Sequence, residues 1–213
     1  MLLNSTKQSS MCATPVGRYR RSGRVNSTNA FLATAVVAVG LGTGAMAQDS
    51  AERMAEAASG FAVAPPQGYV AQPDTPASSS ELAISVTKPG EPDTHCRISF
   101  EAIPGFSQFT QDELNRQADQ PNFDLFYRDS VSGFYAVTTV AHFDRTGVRG
   151  AVIRATSRAK PATPGWRADL AALIFMSYTP KGLTKVTCTA VASVFEARRG
   201  DFEAVANSVT LPR

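Results

Sequence analysis

The chain has 213 residues, of which 43% are hydrophobic and 18% are charged, a composition that excludes a globally disordered or low-complexity protein. Lysine and arginine outnumber aspartate and glutamate by 21 to 18, and the whole excess lies in residues 1–47, which hold five basic residues and no acidic one. Without that segment, 16 basic and 18 acidic residues remain, a formal charge of −2, which argues against nucleic acid as a partner.

Residues 1–47 have the organisation of a secretory signal peptide. A basic stretch ends at Arg24, an apolar run covers residues 30–41, and Ala45 and Ala47 supply the small side chains that a signal peptidase accepts. We therefore expect cleavage after Ala47, which leaves no membrane span in the mature chain. The protein is then exported, to the periplasm or beyond the cell.

Alternatives remain for this segment. An uncleaved anchor helix would need about 20 apolar residues, whereas the run is shorter and contains glycine. Met11 is a second possible start, which would shorten only the basic region. Arg20-Arg21 suggests a twin-arginine signal, but the apolar residues that should follow such a pair are missing.

Residues 48–59 are predicted to be a flexible leader, either a frayed helix or a tether. A single domain over residues 60–213 is expected to follow, since about 150 residues suffice to bury a core. The domain opens with a short strand at residues 61–64, which Pro65-Pro66 ends.

The next segments alternate between loop and strand. Residues 72–80 are rich in proline and serine and predict a loop. Apolar and polar side chains then alternate over residues 82–87 and again over residues 95–101, which indicates two half-buried strands. In the second strand Cys96 shares the apolar face with Ile98 and Phe100.

A capping box marks the start of a helix. Thr110 is followed three residues later by Glu113, and Phe109 and Leu114 can form a hydrophobic staple around the cap. Pro121 is expected to separate this helix from a second one, which Gly133 ends.

The remaining chain predicts two hairpins and a helix. Strands are expected at residues 134–144, 148–156, 170–178 and 183–195, with turns at 145–147 and 180–182 and a loop at 161–166. In the last of these strands the predicted inward face comprises Val186, Cys188, Ala190, Ala192 and Val194. A final helix covers residues 201–207, with Phe202, Val205 and Val209 on one stripe.

Two cysteines, Cys96 and Cys188, remain in the expected mature chain, and no CxxC motif is present. An even number of cysteines in an oxidising compartment favours an intramolecular disulfide over a redox or metal site. Both residues lie on the apolar face of a predicted strand. We therefore predict a Cys96–Cys188 disulfide that closes a loop of about 90 residues.

The order of these elements predicts an α+β protein with an antiparallel sheet of six to seven strands packed by two to three helices. The segment GFAVAPPQGY at residues 60–69 resembles the start of domains in the Mog1/PsbP-like superfamily. The hairpin with Gly150 in its return strand, and FEAVANSV at residues 202–209, are similar to the later strands and last helix of that superfamily.

This resemblance covers most of residues 60–211 and implies an α/β/α sandwich. The chain also resembles a type of secreted protein common in alphaproteobacteria. Members of the superfamily are mostly binding or assembly accessories, and they share no catalytic residues that could be carried over to this sequence. The resemblance therefore implies a fold and a broad role, but no catalytic site.

His142 and Asp144 are the leading candidates for catalysis, because residues two apart on a strand share a face and an acid beside a histidine is part of nucleophilic triads. No Gly-x-Ser-x-Gly motif accompanies them in the mature chain. A solvated strand end is the competing interpretation. His95 beside Cys96 is a poor zinc set, since neighbouring strand residues face opposite ways.

Two larger groups of side chains are also open to a functional interpretation. A basic run, Arg145, Arg149, Arg154, Arg158 and Lys160, could attract an anionic ligand, although a solvated strand face is favoured. An aromatic group is interpreted mainly as core rather than as a ligand cage and comprises Phe106, Phe109, Phe123, Phe126, Tyr127 and Phe134.

The sequence thus favours a non-catalytic, exported binding or assembly-accessory module that needs no cofactor or metal. Its expected partner is a periplasmic protein or a small ligand, bound by loops such as residues 65–80 and 161–166. The alternative is a small secreted hydrolase that uses His142 and Asp144.

Overall fold

Two antiparallel sheets form the frame of the protein, which we describe from a computed structural model covering residues 53–57, 59–91, 94–158 and 169–213. The expected signal peptide and the loop predicted at residues 161–166 lie outside the described residues. Strand order in the larger sheet and the positions of three helices decide which side chains can meet.

The elements have the following bounds. The strands are β1 Met54–Ala55, β2 Ala62–Val63, β3 Val70–Pro73, β4 Glu81–Thr87, β5 His95–Ala102, β6 Tyr135–Arg145, β7 Val148–Ser157, β8 Leu170–Thr179, β9 Gly182–Val191 and β10 Val209–Thr210. The helices are α1 Gln111–Ala118, α2 Pro121–Ser132 and α3 Phe195–Asn207, and a 3-10 turn covers Pro104–Gln108.

The larger sheet has seven strands in the order β3-β4-β5-β9-β8-β7-β6, all paired antiparallel. The smaller sheet has the order β1-β2-β10, so that the first and last described strands both pair with β2. Both faces of the larger sheet are apolar along β8, because Leu173 packs with one cluster of buried side chains and Ile174 with another.

Helices lie on both faces of the larger sheet. On one face, Tyr127 and Val131 of α2 pack on Ile153 and Ile174. On the other face, Phe202 and its neighbours in α3 pack with the core of β4, β5 and β9 and with the smaller sheet. This arrangement confirms the predicted α+β class and the α/β/α sandwich.

The hairpin of β6 and β7 was predicted from its turn residues and is present. Its two-residue loop, Thr146-Gly147, has positive φ values of 53° and 79° at both positions, which is the geometry that suits the twist of a tight hairpin. Helix α1 is fastened to this turn by Asn115, whose Nδ2 donates to the Gly147 carbonyl at 2.9 Å and whose Oδ1 accepts from the Arg149 N–H at 3.0 Å.

Cys96 and Cys188 occupy directly opposite positions on β5 and β9, and their sulfurs are bonded, as the sequence predicted. Both residues are fully buried. The bond joins positions 92 residues apart in the chain. It therefore links the first strands of the larger sheet covalently to its last hairpin.

Three predicted elements differ from the structure. Within the leader, Met54–Ala55 is a strand rather than helix or tether, because it pairs with β2 and Met54 packs against the core. Within the predicted 72–80 loop, residues 72 and 73 belong to β3, an edge strand that tolerates Pro73 because one side of its backbone needs no partner.

The third difference concerns the last helix, which begins at Phe195 rather than at residue 201. Strand β9 ends at Val191, so Ala192 and Val194 do not continue its inward face. Val194 precedes the helix without any side-chain cap, so no N-terminal capping motif marks the start in the sequence. Val209 lies beyond the helix, in β10.

Candidate functional site

A pocket of about 490 Å³ opens at the end of the larger sheet where β4 begins and β5 ends. This volume lies within the range of roughly 300 to 1,000 Å³ that is typical of small-molecule sites. The connection between β1 and β2, the 3-10 turn and the β8–β9 turn complete its walls. We call it the apolar pocket. It is lined by Glu56, Ser59, Ser80, Leu82, Phe100, Ala102, Ile103, Pro104, Ser107, Pro180 and Lys181.

The apolar floor of this pocket follows from strand register. Leu82 and Phe100 are directly opposite each other on β4 and β5 and project from the same face. The Phe100 ring stacks on Phe61 with the ring centroids 5.9 Å apart, which connects the pocket to the buried core. Because the floor is built on paired strands, its shape does not depend on a loop closing.

The charged residues of the apolar pocket are held by the β1–β2 connection. Lys181 Nζ donates a hydrogen bond of 3.1 Å to the Ser59 carbonyl oxygen. The Ser59 N–H donates to a carboxylate oxygen of Glu56 at 2.6 Å. A cation and an anion therefore lie beside a pocket whose other lining residues are apolar side chains and three serines, and a ligand's polar group could lie near the two charges.

The serine hydroxyl groups of the apolar pocket take part in hydrogen bonds within the protein. Ser107 Oγ donates to the Pro104 carbonyl at 2.7 Å, and Ser59 Oγ accepts from the Phe61 N–H at 3.0 Å. Ser80 Oγ lies 3.1 Å from Ser78 Oγ. Within the described residues no histidine is hydrogen-bonded to any of the three pocket serines, and a serine nucleophile needs such a base.

A cluster of polar side chains lies on the other face of β4 and β5, which points away from Cys96, Ile98 and Phe100. Arg97 binds Glu81 through two hydrogen bonds of 2.9 and 3.0 Å, and its Nε lies 3.2 Å from Asp74. The hydrogen bond from Arg97 lowers the pKa of Glu81 to about 2, and the same bond raises the pKa of Arg97. These three side chains satisfy one another, which indicates a structural network.

His95 lies on this same face, with Nε2 3.0 Å from Ser85 Oγ. Burial lowers the pKa of His95 and so favours the neutral imidazole. Its neighbour Cys96 is bonded to Cys188. Within the described part of the chain, no three His, Cys, Asp or Glu side chains are grouped closely enough to hold a metal ion.

The two residues of the hydrolase alternative have separate partners. His142 Nε2 lies 2.9 Å from Asp124 Oδ1 on α2. Asp144 accepts a hydrogen bond from the Gly147 N–H and lies 3.7 Å from Arg149 Nε. The acid paired with the histidine is thus one that the sequence interpretation did not consider, because it is 18 residues away on a helix.

The basic run is divided between the two faces of the sheet, and its described members are engaged. Arg149 pairs with Asp119 of α1, whereas Arg154 pairs with Glu196 of α3. Arg158 donates to the Tyr135 carbonyl at 3.1 Å. Lys160 lies outside the described residues. Arg145 donates to the Ala206 carbonyl oxygen. These arginines therefore form no common anion-binding stripe.

The aromatic group is only partly core, which corrects the sequence interpretation. Tyr127 is fully buried and its ring contacts Phe123 and Tyr178, and the Tyr178 ring in turn contacts Phe106. Phe126 and Phe134 are 49% and 53% exposed. Phe126 is exposed because α2 packs mainly on the edge strand β6, which covers only one side of the helix. Phe134 lies after the helix, in the turn that leads into β6.

No protein-family profile and no curated protein matches this chain. Its structure is similar to the solution structure of cyanobacterial PsbP (CyanoP) from Synechocystis sp. PCC 6803, with a TM-score of 0.51 and 14% identity over 80% of this chain and 98% of that chain. A crystal structure from Bacteroides thetaiotaomicron VPI-5482 has a TM-score of 0.46 and 11% identity, over 77% of this chain and 49% of that chain.

The similarity to CyanoP confirms the PsbP-like fold that the sequence resemblance implied. At 14% identity it concerns the fold alone. No helix among the described residues is long and apolar enough to cross a membrane.

Sequence reasoning missed the apolar pocket, because its walls come from four separate parts of the chain, residues 56–59, 80–82, 100–107 and 180–181. Of the loops proposed for binding, only residues 65–80 are described, and Ser80 is their one contribution to this pocket. The available sequence signal was Pro104 and Pro180 next to strand ends. Prolines at such positions stop the pairing of strands and leave an opening.

Proposed function

We propose that the protein is an exported, non-catalytic binding module that holds a small, mainly apolar molecule in the apolar pocket. The observation that carries this proposal is the pocket itself: about 490 Å³, with Leu82 and Phe100 as its floor and Lys181 and Glu56 beside its opening. A ligand with an apolar body and one polar end matches this distribution of groups.

Binding is favoured over hydrolysis by the partners of the candidate residues. A hydrolase of the triad type needs a histidine within reach of a serine or cysteine. His142 is paired with Asp124 at the helix-covered edge of the sheet, and the pocket serines are bonded to backbone groups or to another serine. An accessory role is also what the PsbP-like resemblance implies.

Export is part of the same proposal. The basic, apolar and small-residue segments of residues 1–47 support it. The buried Cys96–Cys188 bond fits an oxidising compartment. The domain of residues 60–213 would then act in the periplasm or outside the cell, after cleavage before Gln48.

Ligand binding can be tested with the mature chain and a fluorescent apolar probe. Anilinonaphthalene sulfonate has an apolar body and one anionic group, so we expect saturable binding to one site. Leu82→Trp would fill the pocket floor and should weaken probe binding by about tenfold or more, which corresponds to about 1.4 kcal/mol.

The matched control is Leu125→Trp, because Leu125 is 64% exposed on α2 and does not line the pocket. Its probe affinity should equal that of the unmodified protein. Binding that Leu82→Trp leaves unchanged, or that Leu125→Trp alters instead, would assign the probe to the exposed surface and contradict the proposal.

Export can be tested separately by measuring the intact mass of protein from a periplasmic fraction. We expect a chain that begins at Gln48. Recovery from the cytosol of a species that still begins at Met1 or Met11 would refute export without affecting the pocket.

A further inference from the structure

A second, smaller cavity lies on the α3 face of the larger sheet. It shares no lining residue with the apolar pocket, although Thr184 in its lining is directly opposite Phe100 of that pocket. It has a volume of about 130 Å³ and is enclosed by the end of β6, the middle of β8, the start of β9 and the residues around the end of α3. A single water occupies about 30 Å³ in the liquid, so the cavity has room for more than one. We call it the polar cavity; its polar lining includes Arg145, Ser177, Thr184 and Asn207.

Arg145 brings a positive charge to the polar cavity without an acidic partner. Its guanidinium donates to the Ala206 carbonyl oxygen, and no carboxylate of the described residues is within ion-pair distance. Its neighbours on the same hairpin differ, since Arg149 pairs with Asp119 and Arg154 with Glu196. Burial lowers the pKa of Arg145, and no acidic group offsets that effect.

The acid nearest in sequence does not neutralise Arg145. Asp144 belongs to the lining, but its carboxylate accepts from the Gly147 N–H at 3.1 Å and faces Arg149, on the other side of the strand. Neighbouring residues of a strand point to opposite faces, which explains the separation. The positive charge in the polar cavity is therefore left uncompensated.

Thr184 provides a hydroxyl that lacks a partner. The residue is 2% exposed, and its Oγ1 makes no hydrogen bond within the structure. Ser177, which is 3% exposed, lies directly opposite on β8 and projects from the same face. A buried hydroxyl without a partner is unfavourable, and polar groups in this situation usually bind a water or a ligand.

Aromatic rings close the apolar side of the polar cavity. Phe143 and Phe175 lie edge to face with their centroids 6.1 Å apart. Both rings belong to the lining. They limit the access of bulk water, which strengthens the attraction between a guanidinium and an anion.

We propose that the polar cavity binds a small oxyanion, either the carboxylate of a short organic acid or an inorganic oxyanion. Arg145 supplies the opposite charge and Thr184 donates a hydrogen bond from its hydroxyl. This site is independent of the apolar pocket and of the function proposed for it.

The test is calorimetric titration of the mature protein with acetate and, separately, with phosphate, at constant ionic strength. Saturable binding of either anion is expected. Arg145→Gln and Thr184→Val should each weaken it by about tenfold or more, because hydrogen bonds that involve a charged group are the strong ones. The anion that binds more tightly shows whether the ligand is a carboxylate or an inorganic oxyanion. Loss of affinity in both variants supports the site for either anion.

Two control variants keep the test specific. Arg149→Gln removes a charge from the opposite face of the same hairpin, and Thr187→Val removes a hydroxyl from the opposite face of β9. Both should bind the anion as the unmodified protein does. Far-UV circular dichroism checks that each variant is folded, and Arg145→Met, which keeps an apolar stem but removes the charge, replaces Arg145→Gln if the latter does not fold.

Absence of saturable binding by both anions would overturn the proposal. Undiminished binding in the Thr184→Val variant, or in a folded variant of Arg145, would also overturn it. A loss of affinity in Arg149→Gln equal to that in the cavity variants would show general charge attraction instead of a site.

Discussion

Glu81 shows how a single side chain makes stability depend on pH. It begins β4, beside the edge strand β3, and accepts both hydrogen bonds from Arg97. That pairing lowers the pKa of Glu81 from 4.5 to about 2 in the folded protein. The carboxylate therefore stabilises the folded state above about pH 4.5, and this contribution is lost as the pH falls to about 2.

Glu81→Gln is expected to lower the free energy of unfolding at pH 7 by about 1 to 2 kcal/mol. The shift in pKa alone would correspond to about 3 kcal/mol, and solvent screening at this partly exposed pair reduces it. The difference between the variant and the unmodified protein should shrink as the pH is lowered toward about 2. Urea unfolding at a series of pH values measures both effects.

Glu101→Gln is the matched control, since Glu101 is directly opposite Glu81 on β5 but is exposed. Its stability should follow that of the unmodified protein across the pH series. A constant gap between Glu81→Gln and the unmodified protein at every pH would mean that the Arg97 pairing does not control the titration.

The sequence correctly predicted the burial of side chains where burial depends only on the alternation within one strand. Alternation alone placed Cys96, Ile98 and Phe100 on the inner face, and all three are buried. The Asp124–His142 pair could not be predicted in this way, because it joins a helix to a strand and depends on how α2 lies over β6. Pairings across elements need the tertiary arrangement.

Among the helices and strands, α1 is the one whose first residue the sequence predicts most clearly. Thr110 Oγ1 accepts from the Glu113 N–H at 3.3 Å, and the Glu113 carboxylate accepts from the Thr110 N–H at 2.7 Å. The predicted capping box is therefore confirmed. The helix that it starts holds Asn115 against the β6–β7 turn.

Thr110→Ala is expected to destabilise the protein by about 1 kcal/mol, the usual effect of losing an N-terminal cap. Amide hydrogens in the first turn of α1 should exchange faster, because their acceptor is gone. Ser132→Ala, at the other end of the helical region, removes only a hydroxyl that donates to the Asp129 carbonyl, and it should have little effect. Equal losses in both variants would argue against a specific cap.

The sequence failed to predict those helices and strands that no capping residue or alternating pattern of their own marks. Helix α3 has no capping side chain before it, and residues 192 and 194 extend the alternating pattern of β9 past its true end. Strands β1 and β3 are short and lie at sheet edges, so their pairing depends on neighbours far away in sequence. Local patterns cannot report such long-range hydrogen bonds.

For the whole molecule, the Cys96–Cys188 bond is the strongest single constraint. It joins neighbouring strands that are 92 residues apart in the chain, so it restricts the unfolded state far more than the folded one. Reduction should lower the free energy of unfolding by about 2 to 5 kcal/mol. Denaturant unfolding with and without reductant measures the change.

The single replacement Cys188→Ser should have the same effect as the double replacement that also includes Cys96→Ser, because either removes the one cross-link. Thiol titration of a denatured, unreduced chain of residues 48–213, which lacks Cys12, provides an independent check. No free thiol is expected. Two reactive thiols per chain would contradict the bond.

The smaller sheet has a consequence for the order of events during synthesis. Its central strand, β2, ends at Val63, whereas its partner β10 begins only at Val209. A chain that is made from its amino terminus therefore has every strand of the larger sheet available, up to the end of β9 at Val191, before the smaller sheet can be completed. Contacts that join such distant parts of a chain slow folding. We therefore expect the pairing of β10 with β2 to be among the last steps of folding during synthesis.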